Sequence, residues 1–205
     1  MLKIAITNLK GGSAKTTSTA YLAHALGLQG RKVLVVDADP QGSALRWSEV
    51  GEWETPTIGL PVKDLHTRLP GIVPDSIDVV IIDTPPLAEQ AGVVRSALRY
   101  ADLAIVSMAP TMLEFERLPD VWQAIDELEE IDQAPRVTRV LLTRTVANAR
   151  STALFRSAIE GGGHHVLATV VPRRESIAQA FGAQVTELGA YEGVALEVLG
   201  LEVTL

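Results

Sequence analysis

Leu2-Lys3-Ile4-Ala5-Ile6-Thr7 and, two residues on, Lys10-Gly11-Gly12-Ser13-Ala14-Lys15-Thr16-Thr17 decide how this 205-residue chain is read. The first run is short, mostly apolar and suited to a buried strand, and behind the second Tyr21, Leu22, Ala25 and Leu26 recur at helical spacing. Strand, glycine loop and helix thus arrive in that order. A polyphosphate needs backbone N–H groups turned toward it with no Cβ in the way, a helix N-terminus aimed at it and a fixed cation. Gly11 and Gly12 meet the first need, the helix opening at Lys15 the second and the Lys15 ammonium the third. Ser13, Ala14 and Thr17 complete the loop, and Thr16 sets a hydroxyl where Mg²⁺ bridging the phosphates would sit. The plain alternative is a glycine-rich turn that happens to carry two lysines.

Outward from this loop, short apolar runs alternate with segments of helical period. Strands are expected at about 2–8, 32–37, 77–83, 102–107, 137–143 and 166–171, and helices at about 15–29, 42–50, 87–100, 113–130, 150–160, 175–188 and 191–200. This βαβα order predicts an α/β fold, a doubly wound and mostly parallel central sheet with helices on both faces. Val79-Val80-Ile81-Ile82 has no polar alternation, as a central strand buried on both sides requires. No linker or repeat interrupts the pattern, so residues 1–205 are expected to form one domain, with no N-terminal helix-turn-helix domain.

Composition removes several chemistries. With no cysteine there is no disulfide, thiolate metal site or thiol nucleophile. No export signal precedes the first strand, and no apolar stretch reaches the roughly 20 residues that cross a bilayer, so a cytoplasmic address is expected. The net charge of −7 argues against a uniformly basic coat. Residues 136–174 nevertheless carry seven arginines against the single acid Glu160.

Two further motifs follow predicted strands: Asp37-Ala38-Asp39-Pro40-Gln41-Gly42 and Asp83-Thr84-Pro85-Pro86. Carboxylates at the ends of neighbouring parallel strands lie where a doubly wound sheet binds its ligand. Taken singly, each aspartate is as well read as a helix N-cap. The loop departs from GxxxxGK[ST], because Leu9 and Ala14 stand at both glycine positions, and matches instead the deviant form KGGxxK[ST] with its early lysine, Lys10. In this the chain resembles the ParA/MinD family of deviant Walker P-loop ATPases, and in beginning at the loop strand it is most like the short ParA proteins such as ParF. Met108-Ala109-Pro110, Leu141-Leu142-Thr143-Arg144 and Val170-Val171-Pro172-Arg173 look like further family landmarks.

The resemblance implies ATP and Mg²⁺ as cofactors and slow ATP hydrolysis. Lys15 would hold the β- and γ-phosphates, while Lys10 would reach across a two-fold axis to the nucleotide of a second subunit, giving a homodimer on ATP binding. Thr16 would ligate Mg²⁺ with Asp83 behind it, and Asp39 would lie near the metal and orient the attacking water. Arg144 and Pro172 lie where the family holds adenine, although lone residues of these types at strand ends are often solvated or turn-forming. Ala14 replaces a glycine, which suits the backbone only if φ is negative there or the strain is absorbed elsewhere.

The implied function is DNA or plasmid partition. The ATP dimer would bind double-stranded DNA without sequence preference on the nucleoid, through Arg150, Arg156, Arg173 and Arg174, and a centromere-binding ParB/ParG-like adaptor would stimulate hydrolysis. The competing reading of the arginines is that they pair with residues 111–132, which hold eight acids and one arginine, or solvate helices. A MinD-like membrane-positioning role needs a basic amphipathic C-terminal helix, and residues 175–205 have five glutamates and no Lys or Arg, so no membrane partner is expected. An ATP-dependent metabolic ligase on the same fold is the alternative from another class, and it lacks the early lysine. A nucleotide sensor that hardly hydrolyses ATP is the third, resting on Ala14. His164 and His165 follow three glycines without converging ligands, and Trp47, Trp53 and Trp122 suit a core.

Overall fold

A computed structural model describes residues 1–202. Six strands, β1 (Leu2–Thr7), β2 (Val33–Asp37), β3 (Thr57–Gly59), β4 (Val79–Asp83), β5 (Leu103–Met108) and β6 (Val137–Leu142), form one sheet in the order β3-β2-β4-β1-β5-β6. Every pairing in it is parallel. β2, β4 and β5 are buried along their whole length, which is why their sequences carry no alternation.

The period of two in β1 divides its side chains between two cores. Ile4 and Ile6 join Tyr21, Leu22 and Leu26 of α1 (Lys15–Leu28), Trp47 of α2 (Ser43–Val50) and Tyr191, Val194 and Val198 of α9 (Tyr191–Glu202). Ala5 faces the opposite layer, built from Leu65 of α3 (Leu65–Arg68), Val94 and Leu98 of α4 (Leu87–Tyr100), and Val121 and Leu128 of α6 (Leu118–Glu129). Each large apolar side chain buried this way contributes about 2 kcal/mol. The remaining helices are α5 (Met112–Phe115), α7 (Arg150–Gly161) and α8 (Glu175–Ala178).

The structure corrects the sequence in four places. β3 is only three residues long and α3 only four, too short to show a period. The helix expected at 113–130 is two, α5 and α6, separated by Glu116 and Arg117, with Pro119 in the first turn of α6 where a missing N–H costs nothing. The segment at 166–171 runs beside β6 but is not a strand. It pairs with β6 by an isolated bridge at Val166, while Glu197 of α9 accepts the amides of Ala168 and Thr169 at 2.7 and 2.6 Å and Arg156 donates to the carbonyls of Leu167 and Ala168 at 2.7 and 3.2 Å. Side chains there satisfy backbone groups between the two amides, of Leu167 and Val171, that do reach β6. The helix expected over 175–188 stops at Ala178, and the chain then turns through Gly182, at φ +83°, with Trp47 Nε1 donating to the Ala183 carbonyl at 2.9 Å.

Candidate active site

Because the strands are parallel, the residues that follow β1, β2, β4, β5 and β6 gather at one edge of the sheet. The loop after β1 is anchored there from below. Asn8 Nδ2 donates to the Ser107 carbonyl at 2.5 Å, Asn8 Oδ1 accepts the Leu9 amide at 2.5 Å, and Ser107 Oγ donates to the Ser13 carbonyl at 2.9 Å. Gly12 sits at φ +75° with nothing within 4 Å of where a Cβ would stand, so glycine is needed for its backbone rather than for space.

Ala14 has φ 65° and ψ 24° as the residue preceding α1, so the substitution is carried with left-handed strain rather than avoided by a negative φ. That conformation costs an alanine on the order of 1 kcal/mol. Ala14→Gly is therefore expected to stabilise the apo-protein by about 1 kcal/mol, which raises the melting temperature by roughly 2–4 °C in a domain of this size. Thermal denaturation checks it, and an unchanged or lower midpoint would show that the loop bears no strain at this position.

Lys15 is 6% exposed, and its Nζ donates to the Lys10 carbonyl at 3.1 Å. Burial pushes its pKa down, and the nearby carboxylates of Asp83, Asp39 and Glu89 oppose that. Thr16 Oγ1 donates to Asp83 Oδ2 at 2.7 Å, and Thr19 Oγ1 approaches the other oxygen at 3.4 Å. Asp83 is fully buried, and desolvation pushes its pKa up to about 7 against the Thr16 bond, with Asp37 adding to the rise and Lys15 reducing it.

β2 and β4 pair Asp37 directly with Asp83. Asp37 is raised by burial too, while it accepts the Leu45 amide at 2.9 Å and the Asp39 amide at 3.0 Å. It thus fastens the turn that holds Asp39 at the rim, where Asp39 Oδ1 accepts the Gln41 amide at 2.9 Å. This clamp is a role that the sequence motif alone did not assign to Asp37.

A buried carboxyl raised in this way, beside a hydroxyl and a buried ammonium, favours a cation and a polyanion together. Among the described residues no group of three or more His, Cys, Asp or Glu side chains could hold a metal by itself. That donor set suits Mg²⁺, which keeps waters and takes substrate phosphate oxygens beside one or two protein oxygens.

Beside the loop lies a cavity of about 590 Å³ lined by Ala14, Thr17, Thr143, Arg144, Pro172 and Tyr191, among others. Arg144 and Pro172 therefore stand together in the lining of this cavity. Arg144, at φ +53°, donates to the Gly12 carbonyl at 2.7 Å and to Glu114 Oε1 at 2.5 Å. Glu114 and Tyr191 are not singled out by the sequence, although Glu114 lies in the acidic stretch 111–132 offered there as a partner for the arginines. Tyr191 is buried, which with its surroundings pushes its pKa up to about 12, yet its hydroxyl lies 3.0 Å from Ser18 Oγ on α1. A second cavity, about 680 Å³ near His24, Lys32 and Trp53, opens at the opposite edge of the sheet and includes none of the expected site residues.

The four candidate DNA arginines are not equivalent. Arg150, Arg173 and Arg174 are exposed, the last two at the cavity mouth. Arg156 is half-buried and already engaged by the carbonyls of 167 and 168 and by Glu160 at 3.5 Å. Lys10, which opens the loop, is exposed.

The family model for the CobQ/CobB/MinD/ParA nucleotide binding domain matches residues 4–186. The chain is similar to the maintenance of carboxysome distribution protein A of Halothiobacillus neapolitanus, 31% identical over 202 residues, covering 91% of this chain and 88% of that protein. It is similar also to the chromosome-partitioning ATPase Soj of Thermus thermophilus, 29% identical over 225 residues, with 90% and 87% covered. Its fold is similar to that of cobyrinic acid a,c-diamide synthase from Mycobacterium smegmatis with bound ATP analog and magnesium, at a TM-score of 0.78 and 24% identity over 100% of this chain and 96% of that one.

Proposed function

The chain belongs to the CobQ/CobB/MinD/ParA family of nucleotide-binding domains, and from that premise we propose that it is a ParA-type ATPase that uses Mg-ATP to position DNA or another large cargo. The observation that carries this is the convergence of the buried Lys15 ammonium, the Thr16 hydroxyl and the buried Asp83 carboxyl behind a glycine loop. ATP supplies the phosphoanhydride bond and Mg²⁺ neutralises its charge. Lys15 holds the β- and γ-phosphates, Thr16 lends its hydroxyl to the metal with Asp83 behind it, and Asp39 at the rim orients the water. Arg144 and Pro172 flank the adenine end. Lys10, at the start of the loop, serves a second copy's nucleotide, so that hydrolysis depends on association. Positive charge brought to the developing phosphate charge is the main catalytic contribution in such sites.

In this proposal the ATP dimer binds double-stranded DNA on the nucleoid of the cytoplasm, and a ParB/ParG-like adaptor accelerates its slow turnover. Residues 1–205 act as one domain. The relatives' names bring two kinds of cargo, a chromosome and a carboxysome, and plasmid partition is the variant we put first. Arg150, Arg173 and Arg174 are the DNA contacts this favours, whereas Arg156 serves the fold.

DNA affinity is expected to be high with Mg-ATP, low with Mg-ADP and steeply salt-dependent. Replacing Arg150, Arg173 and Arg174 together by alanine should lower the slope of log affinity against log salt by about 0.9 for each DNA phosphate that the variant leaves unneutralised. Filter binding or anisotropy over a salt series measures it, and equal affinity with ADP and ATP would remove DNA from the proposal.

The likeness in fold to a diamide synthase keeps a metabolic ligase as the second reading. Lys10 weighs against it, because the ligase reading gives no role to this exposed lysine at the start of the loop. A MinD-like membrane role is disfavoured by α9, whose described residues include Glu192, Glu197 and Glu202 and no lysine or arginine.

A further inference from the structure

A continuous set of charge-assisted bonds joins the phosphate loop to the exposed turn α5. Arg144 donates one terminal nitrogen to the Gly12 carbonyl at 2.7 Å and the other to Glu114 Oε1 at 2.5 Å. The second Glu114 oxygen accepts the Ala109 amide at 2.8 Å, just where the chain leaves β5. One carboxylate therefore fixes both the start and the body of the turn. The pair is shielded, with Glu114 15% and Arg144 39% exposed along the side chain, so the attraction is less screened than in an open surface pair. Arg144 holds this place at φ +53° and Gly12 at φ +75°. A long side chain persists in a left-handed conformation when its surroundings determine it, and here the two-pronged contact does. On the same turn, Met112 and Leu113 stand 60% and 61% exposed.

We propose that Glu114 is a positioning residue: it aims Arg144 at the loop carbonyl and so ties occupancy of the phosphate loop to the shape of the Met112–Leu113 turn. The proposal rests on the nucleotide reading above. Amides of the loop that turn toward an anion reorient the same peptide units whose carbonyl Arg144 holds, and the rigid fork of the guanidinium passes that change to Glu114. Neither a neutral amide at position 114 nor a lysine at 144 can do the same. Glutamine lacks the charge, and an ammonium cannot span two acceptors as a planar fork does.

The test is hydrogen exchange with and without Mg-ADP, a ligand chosen to leave out the contacts a triphosphate makes to a second copy, together with Mg-ADP titration calorimetry. In the wild type, Mg-ADP is expected to slow exchange in residues 11–18 and in residues 109–116. In Glu114→Gln and in Arg144→Lys the first segment should still respond and the second should not. The dissociation constant should rise about fivefold to tenfold in each single variant and no further in the double. An unaltered response of 109–116 in the variants, no response there in the wild type, or additive effects in the double would overturn the proposal. Should one variant fail to fold, the other carries the same test. Lys15→Ala separates the two levels. If it still binds Mg-ADP normally, the nucleotide site itself is misplaced; if it does not, while Glu114→Gln behaves as wild type, only the relay fails.

Discussion

Lys15→Ala is expected to lower kcat/KM for ATP by about a thousandfold or more and to remove measurable nucleotide binding at micromolar concentrations. The ammonium donates to the Lys10 carbonyl, and its pKa is pushed down by burial. It is thus a desolvated charge, only partly offset by the nearby carboxylates, and a triphosphate would offer it a stronger counter-charge. Removing one such donor to developing phosphoryl or oxyanion charge costs two to three orders of magnitude in turnover, and the loss of ground-state charge-assisted bonds adds about 2 kcal/mol in binding. The fold should survive, because a buried cation with a lowered pKa contributes little to stability. Steady-state turnover and calorimetry measure the loss, with a melting curve as control. A folded variant that binds ATP as the wild type does would place the phosphates elsewhere.

Lys10→Ala should behave differently, and the difference is informative. Lys10 is exposed, so its side chain adds little to its own pocket or to the fold. Nucleotide binding by a single chain should stay within about twofold. Turnover should fall by on the order of a hundredfold or more, because in the proposed dimer the charge that Lys10 lends the transition state belongs to the neighbour's nucleotide. Affinity near normal with turnover abolished is the pattern that separates a residue acting across an interface from one acting within its own site. A fall in affinity in proportion to turnover would assign Lys10 to its own chain's phosphates instead.

Much of the architecture was legible because local signals agreed with one another. β1, the loop and α1 carry strand period, glycine and helical period in sequence, and β4 reads as a central strand from Val79 to Ile82. What escaped depends on neighbours that the sequence does not order. The pairing of Asp37 with Asp83 follows from β2 lying beside β4, a matter of sheet order; burial raises both carboxyls, and the Asp37 charge adds to the rise at Asp83. Glu114 lies 30 residues from Arg144, and the sequence offers the acidic stretch 111–132 as a partner for arginines without saying which pair meets.

The segment at 166–171 has the composition of a strand and its Leu167 and Val171 amides reach β6, yet Glu197 and Arg156 take the amides of 168 and 169 and the carbonyls of 167 and 168 between them. Arg156, for the same reason, is less available to nucleic acid than its place in an arginine-rich stretch suggests. α8 ends early because Trp47 and the turn at Gly182 hold the following chain against the aromatic cluster, and no local period marks that.

A triphosphate joins two copies, on this reading, because each supplies a cation to its neighbour's pocket. Light scattering after size exclusion, run with Mg-ADP and with a slowly hydrolysed ATP analogue and Mg²⁺, measures this most directly. The expected result is the mass of one chain, about 21.9 kDa, with ADP, twice that with the analogue, and a return to one chain for Lys10→Ala under both conditions. The same mass with both nucleotides, or a Lys10→Ala protein that still doubles with the analogue, would contradict it.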